Sequence, residues 1–584
     1  MAVAEKKISL GVKLADLWEK VGGVGKLVCN MGPGGTFQMT SADVDGRKVT
    51  VFKNLPAALG DTYRVWLKKF ADNKMMVYED EEYTYAEVDG LMDDLDAALA
   101  ADFGIMHGDK VGIAMRNCPE FLIAFLGVTA MGAVAVPLNS LWNAQELEYG
   151  IKDAGCKVLF ADPERLQLCA PFLGQLGCAS VLCRGDAVMA KELGAAAMWG
   201  DVLASGKGKS PPSLVGIHPE SEAMIMYTSG STGFPKGVVH TQRSVGTNMK
   251  LGEIVQKVRP ELPVPTVLLG IPLFHITALG LVFLYAVPAG ANTIMIRKWD
   301  AGVALNVIEK FRVTRFTGVP TMIRDMLDHP DFSVERVSSM KNFAAGGAPV
   351  PPGQVKRLHA HTGKASSSQG YGLTEVHMAT FNTGVDYLKR PTSCGRAVPL
   401  LVQLKVVDPE TQQRVKNGER GELCIKSAMM MKGYHNKPEA TAKAIDSEGF
   451  FHSGDIAKIE GGFVYILDRL KDLIIRGGEN IDCSEVEFAL LTHPSVRECS
   501  VFGLPDERLG EVVGTAVWIQ GTPVTTAELS AHAASQLAKF KVPLAEHIFI
   551  HTEELPKGAT GKLDKKGLRA KYSEAIKGPP ASKL

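Results

Sequence analysis

At 584 residues the chain exceeds what one hydrophobic core serves and calls for roughly three or four structural units. Hydrophobic residues make up 46% and charged residues 22%, and 64 basic residues balance 64 acidic ones, so no net field favours nucleic acid or an anionic membrane surface. Ten cysteines lie scattered without CxxC or Cys/His zinc spacing and read as reduced core residues.

The N-terminal run MAVAEKKISL has no apolar stretch behind its charges, which reads as neither a secretory signal nor a membrane anchor. Residues 1–60 read as an irregular arm with a Gly-rich run, GPGGTF, at 32–37 and no legible function. From Tyr83 onward, β-rich runs alternate with amphipathic stretches: EYTYAEVDGLMDDLDAALA, KVGIAMR, PEFLIAFLGVTAMG, AVAVPLN, ELEYGIKDAG and KVLFA. Such alternation predicts βαβ units and a parallel sheet. Phe121 to Leu138 approaches membrane length, but Gly127, Gly132 and Pro137 interrupt it. A helix followed by a strand of a buried sheet is predicted there, and no transmembrane segment.

The run YTSGSTGFPKG, Tyr227 to Gly237, lies between a predicted buried strand, MIMY, and a strand-into-helix pattern, VVHTQRSVGTNM. Thr228, Ser229, Ser231 and Thr232 supply hydroxyls, Gly230, Gly233 and Gly237 let the backbone approach an anion, and Lys236 supplies a point charge. This composition suits a phosphate loop. It is not a Walker loop, because a glycine and not a hydroxyl residue follows Lys236. Alone, the run would also pass for a surface linker.

The α/β alternation resumes with TVLLGIP, ALGLVFLYAVPAG, NTIMIRK, GVALNVIEKF, RFTGVP and MKNFAAGG, predicting a second sheet. From about Pro391 the strands LVQLKVVD, GELCIK and GFVYILD dominate. After DRLKDLIIRGGENI the pattern becomes a compact α/β segment ending near Lys571. The predicted division is an arm at 1–60, a large domain at 61–468, a small domain at 469–571 and a flexible tail at 572–584. The tail ends Ser582-Lys583-Leu584, a peroxisomal address read by an import receptor; in a eukaryote the expected location is the peroxisome, otherwise the cytoplasm.

Four motifs follow the phosphate loop in order: QGYGLTE at 369–375, HSGDIA at 452–457, DRLKD at 468–472 and PKGATGKLDKKGLR at 556–569. Singly, each has a bland reading as a rim aromatic, a turn, a surface ion pair or a basic face. Jointly, and with YTSGSTGFPKG, they resemble the adenylate-forming superfamily of acyl-CoA synthetases, luciferases and adenylation domains, over Tyr83 to Arg569. The resemblance implies an α/β fold: a large N-terminal domain of two α/β sheet subdomains plus a distorted β-barrel, and a small mobile α+β C-terminal domain.

The resemblance also implies roles. Thr228, Ser229, Gly230, Ser231, Thr232, Gly233 and Lys236 would hold the β- and γ-phosphates of ATP. Gly346, Gly347 and Ala348 would line adenine and the acyl pocket, Tyr371 with Gly372 would stack on adenine, and Asp455 with Arg469 would meet the ribose. Thr374 would donate to the α-phosphate, Glu375 would bind Mg2+, and Lys562 would bridge carboxylate and α-phosphate during adenylation. Arg476, Gly477, Gly478, Glu479 and Asn480 would replace Lys562 in the second half-reaction, with coenzyme A. His275, in PLFHITALG, would adjoin the acyl pocket where amino-acid-activating relatives carry aspartate, which disfavours amino acids. ENIDCSEVE at 479–487 departs from the pattern: many relatives have proline at the place of Cys483 or Ser484.

The expected activity is ATP-dependent conversion of a medium- or long-chain fatty acid to acyl-AMP, then to a coenzyme A thioester. The alternatives are a 4-coumarate or aryl-CoA ligase, a luciferase-like oxygenase, and a non-catalytic nucleotide- or lipid-binding protein.

Overall fold

A computed structural model describes residues 37–228, 235–258, 263–347, 350, 352–362, 366–477, 479–558 and 562–577. Ser229, Gly230, Ser231, Thr232, Gly233, Ala348, Gly478 and the terminal Ser582-Lys583-Leu584 lie outside the described residues, as does the arm up to residue 36.

The first sheet has eight strands, in the order Gly433–Tyr434, Lys236–Thr241, Glu222–Thr228, Val134–Pro137, Lys110–Ala114, Cys156–Ala161, Ala179–Leu182, Ala197–Met198. The two pairings at the Tyr434 end are antiparallel and the others parallel. The second has nine strands, with a parallel centre running from Ser366–Leu373 through Asn342–Ala345, Arg315–Gly318, Thr266–Leu269 and Asn292–Met295 to Lys74–Tyr78. The parallel strands are joined by helices whose starts are written locally. Thr84 and Glu87 form a capping box for Tyr85–Phe103, and Asp162 caps Pro163–Leu176.

The apolar tract at 121–138 resolves into the helix Pro119–Ala130 and the strand Val134–Pro137. Every residue of that helix is buried because it packs on strands of both sheets, Lys74–Tyr78 of one and Lys110–Ala114 of the other. An all-round apolar helix is the result. Among the described residues no helix is long and apolar enough to cross a membrane.

Beyond the two sheets, Val402–Val407, Arg420–Ser427, Phe451–Glu460 and Phe463–Arg469 form a four-stranded antiparallel sheet, linked to the second sheet's side by a bridge between Gly395 and Val464. The small domain has its own five-stranded sheet, including Val496–Asp506 and Gly510–Ile519, and its own core around Ile474, Val486, Leu490, Val501 and Val517. The expected fold class is thus the observed one.

The reading of residues 1–60 as irregular needs correction. Met39–Val44 and Arg47–Phe52 pair as a hairpin closed by Asp45-Gly46, both at positive φ, the two-residue turn whose twist matches its strands. A second detail concerns Cys483. Its backbone N–H donates to Asp468 Oδ2 at 2.5 Å and its thiol to the Asp472 carbonyl at 3.2 Å. Proline at 483 has no N–H to give, so the departure adds a tie across the predicted domain boundary.

Candidate active site

The motifs sit at strand ends: Thr228 closes Glu222–Thr228, Lys236 opens Lys236–Thr241, and Tyr371 and Gly372 lie near the end of Ser366–Leu373. Glu222–Thr228 and Lys236–Thr241 pair so that Thr228 lies directly opposite Lys236, which closes the base of the predicted phosphate loop. Tyr227 anchors the first strand by donating to Asp153 Oδ2 at 2.7 Å. The Lys236 ammonium sits over the ring of Tyr434, 4.9 Å from its centroid.

In the second sheet, Gly346 and Gly347 follow the strand Asn342–Ala345. Gly347 has φ +77, and a Cβ there would lie 3.6 Å from Lys562 Cε, so the lysine of the small domain reaches this strand end. Ser366–Leu373 carries Tyr371 and Gly372. A Cβ on Gly372 would stand 1.9 Å from the His377 carbonyl oxygen, so the tight return through Thr374 and Glu375 requires glycine.

Thr374 and Glu375 are then held from outside their own turn. His240 Nε2 donates to the Thr374 carbonyl at 2.7 Å, and burial lowers the pKa of His240 to about 4, so the imidazole is neutral at physiological pH. The Glu375 carbonyl accepts from Met431 N at 2.7 Å, and Glu375 Oε1 accepts from the Tyr434 hydroxyl at 3.0 Å. Burial raises the carboxyl's pKa, opposed by hydrogen bonds to its own backbone and from Tyr434, and by Arg469. Among the described residues no cysteine or histidine forms a metal set with Glu375, and a carboxylate oxygen of this kind fits a hard cation such as Mg2+.

Asp455 and Arg469 are cross-strand partners in the four-stranded sheet, and Asp455 Oδ1 meets Arg469 Nε at 2.7 Å. Its other oxygen accepts from Tyr371 OH at 2.6 Å. Asp455 is 3% exposed; burial pushes its pKa up, while Arg469, Tyr371 and Lys562 hold it down. The strand turns into the site because Glu422 receives Gly454 N on Oε1 and His452 Nδ1 on Oε2, at 3.0 and 2.8 Å. Glu422, Cys424 and His452 have the closeness of a metal set. Each Glu422 carboxylate oxygen already accepts one hydrogen bond, and burial pushes the Cys424 thiol up to about 12, so in this arrangement the three side chains brace the strand.

Lys562 completes the site from the small domain. Burial lowers its pKa and Arg469 adds repulsion, partly countered by Asp455. His275 lies within its field: burial, then Lys562, lowers the imidazole to about 4, and its Nε2 is buried without a partner among the described residues. Arg476, Gly477, Glu479 and Asn480 are not brought here. They form a short hairpin, Arg476 opposite Glu479, whose Gly477, Glu479 and Asn480 are exposed and whose Arg476 pairs with Gly510 in the small domain's sheet. The sequence reading missed Tyr434, His240 and Glu422. Of these, Tyr434 alone carried a local signal, an aromatic in the Gly/Asn/Pro-punctuated run GYHNKP.

A buried aspartate held by an arginine and a tyrosine, a second buried carboxylate and a lysine delivered by the small domain thus lie at one site. The profile of the AMP-binding enzyme family matches residues 63–435, and that of the AMP-binding enzyme C-terminal domain matches 485–562. The chain belongs to this family. It is 35% identical over 493 residues to a feruloyl-CoA synthase from Amycolatopsis sp, covering 84% of this chain and 94% of that protein. It is 34% identical over 499 residues to the long-chain-fatty-acid–CoA ligase FadD13 of Mycobacterium tuberculosis, covering 85% and 94%. Its fold superposes on the anthranilate CoA ligase AuaEII in complex with anthranoyl-AMP with a TM-score of 0.80 at 26% identity, covering 90% of this chain and 99% of that one.

Proposed function

We propose that this enzyme activates a medium- or long-chain fatty acid. It is an ATP-dependent acid–thiol ligase that uses Mg2+ and coenzyme A. In the first half-reaction a carboxylate oxygen of the acid bonds to the α-phosphorus of ATP and the bond to the β-phosphate oxygen breaks, giving acyl-AMP and pyrophosphate. In the second, the coenzyme A thiol, losing its proton, attacks the acyl carbon and AMP leaves.

The observation that carries this reading is Lys562 beside Gly347 and within the field of Asp455 and Arg469. Its ammonium offsets the repulsion between the two reacting anions, where charge develops. Thr228 and Lys236 would then take the β- and γ-phosphates, Thr374 the α-phosphate, Tyr371 adenine and Asp455 the ribose hydroxyls, with Glu375 holding Mg2+. When bound, the cation supplies Lewis-acid polarisation of the phosphates. The small domain would rotate about Asp468–Lys471 to exchange Lys562 for the Arg476–Asn480 hairpin.

An apolar acid is supported by His275, neutral and with Nε2 unpartnered among the described residues, and by the apolar helical segment Thr277–Leu284 that follows it. The resemblance to the feruloyl-CoA synthase supports a second reading, an arylpropenoic acid. Coenzyme A-dependent pyrophosphate release from acetate, decanoate, palmitate and ferulate tests both. Each buried methylene adds about 0.8 kcal/mol, so decanoate should exceed acetate in kcat/KM by well over tenfold. A ferulate optimum selects the second reading, an acetate optimum overturns both, and light or oxygen uptake without coenzyme A selects a luciferase-like oxygenase. Peroxisomal import is inferred from Ser582-Lys583-Leu584, and is tested in a eukaryotic cell by a fluorescent fusion with and without these residues.

A further inference from the structure

The segment 431–435 has no place in the roles above, yet it is bonded to both phosphate-handling motifs. Lys432 N donates to the Val239 carbonyl at 2.8 Å and His435 N to the Gly237 carbonyl at 2.7 Å, fixing the segment to the strand that leaves the phosphate loop. Met431 N donates to the Glu375 carbonyl at 2.7 Å, fixing it to the turn that carries the cation's carboxylate. Between these anchors Tyr434 makes two side-chain contacts. Its hydroxyl donates to Glu375 Oε1 at 3.0 Å, and its ring lies under the Lys236 ammonium at 4.9 Å. Among the described residues no other side chain hydrogen-bonds to Glu375.

Tyr434 also lines an open cavity of about 830 Å³ whose mixed wall includes three lysines, Lys236, Lys437 and Lys443, beside Glu439 and apolar residues, with room for a polyphosphate. A tyrosine hydroxyl is a hydrogen-bond donor, and a carboxylate can only accept, so the direction of this bond is fixed.

We propose that Tyr434 is the positioning residue that couples the cation to the triphosphate: its hydroxyl holds one oxygen of Glu375, leaving the other for Mg2+, and its ring seats Lys236 against the β- and γ-phosphates. This rests on Glu375 as the cation's ligand and is independent of which acid is activated. A hydrogen bond to a charged group contributes enough that its loss shifts an equilibrium about tenfold or more.

The test is calorimetric binding of a non-hydrolysable ATP analogue across a Mg2+ titration, with wild type, Tyr434→Phe, Tyr434→Leu, Glu375→Gln and the double variant Glu375→Gln/Tyr434→Phe. Tyr434→Phe, which keeps the ring and the backbone anchors, should raise the half-saturating Mg2+ concentration about tenfold. Its KM for the acid and its thioester formation from supplied acyl-AMP should stay within about twofold. Tyr434→Leu should in addition weaken analogue binding in EDTA by about threefold or more, through Lys236. In the Glu375→Gln background, Tyr434→Phe should add no further Mg2+ shift. An unchanged Mg2+ midpoint in a Tyr434→Phe protein of wild-type melting temperature overturns the proposal, and so does an equal loss in both half-reactions. A wild-type protein whose analogue binding ignores Mg2+ overturns instead the assignment of Glu375.

Discussion

On the large-domain side of the site, Asp455 is held by its cross-strand partner Arg469 at 2.7 Å and by Tyr371 of the second sheet at 2.6 Å. On the small-domain side a loop delivers Lys562, whose ammonium has no hydrogen-bond partner among the described residues and stays at the site at the expense of a lowered pKa. The contacts that keep this lysine in place lie elsewhere: Arg324 reaches the Arg497 carbonyl at 2.6 Å and Glu498 at 3.2 Å, and Arg420 meets Asp482 at 2.8 Å. The Arg420–Asp482 pair is partly exposed and of a kind that contributes about 0.2–1 kcal/mol. Asp455 itself is buried, so loss of Arg469 and Tyr371 would leave its carboxylate without its direct partners. The buried carboxylate is thus held by direct partners, whereas Lys562 depends on contacts made elsewhere by its own domain.

The largest effect that can break this contrast is expected from Lys562→Ala. Adenylation should fall a hundredfold or more, while thioester formation from supplied acyl-AMP stays near wild type. Equal losses in single-turnover measurements of the two steps would mean that the lysine is as structural as Asp455.

Lys471→Pro sharpens the contrast at the boundary. Fixing φ there should trap one arrangement and slow one half-reaction at least tenfold more than the other, as followed by separate pyrophosphate-release and thioester assays. Unaltered rates for both would place the hinge elsewhere.

A pH profile separates the two sides without mutation. Lys562 is proposed to act as a cation, and because desolvation and Arg469 lower its pKa below 10.5, adenylation should decline on the alkaline side at a lower pH than an ordinary lysine would titrate. Thioester formation from supplied acyl-AMP should lack that decline. His275, at about 4, is neutral throughout and should contribute no acid limb near pH 6.5.

The smallest effect concerns the interface. Arg324→Ala removes two contacts to the small domain yet leaves Glu498 paired with Lys557 at 2.8 Å, so no charge is stranded. Adenylation should drop a few-fold and the second step hardly at all. A loss approaching that of Lys562→Ala would show the domain interface to be far tighter than its exposed ion pairs imply.

Element types and the order of the motifs were legible because they are local properties. Periodicity separates the helix Pro119–Ala130 from the strand Val134–Pro137, and the type and spacing of residues in YTSGSTGFPKG, QGYGLTE and PKGATGK limit which chemistry they can serve. The hairpin at 39–52 was equally local, but its signal, Asp45-Gly46, is two residues long and was passed over. What no local pattern carries is which side chains meet across sheets. Tyr371 finds Asp455 84 residues away, His240 finds the Thr374 carbonyl at a separation of 134, and Tyr434 touches both Lys236 and Glu375 because an edge strand of the first sheet runs beside a turn of the second. The sequence by itself determined the kind of groups and the chemistry they suit. The tertiary structure alone decided their partners, and hence which charges are buried, which are held in place and which can move, since hydrogen bonds and desolvation depend on distances in space and not on separation along the chain.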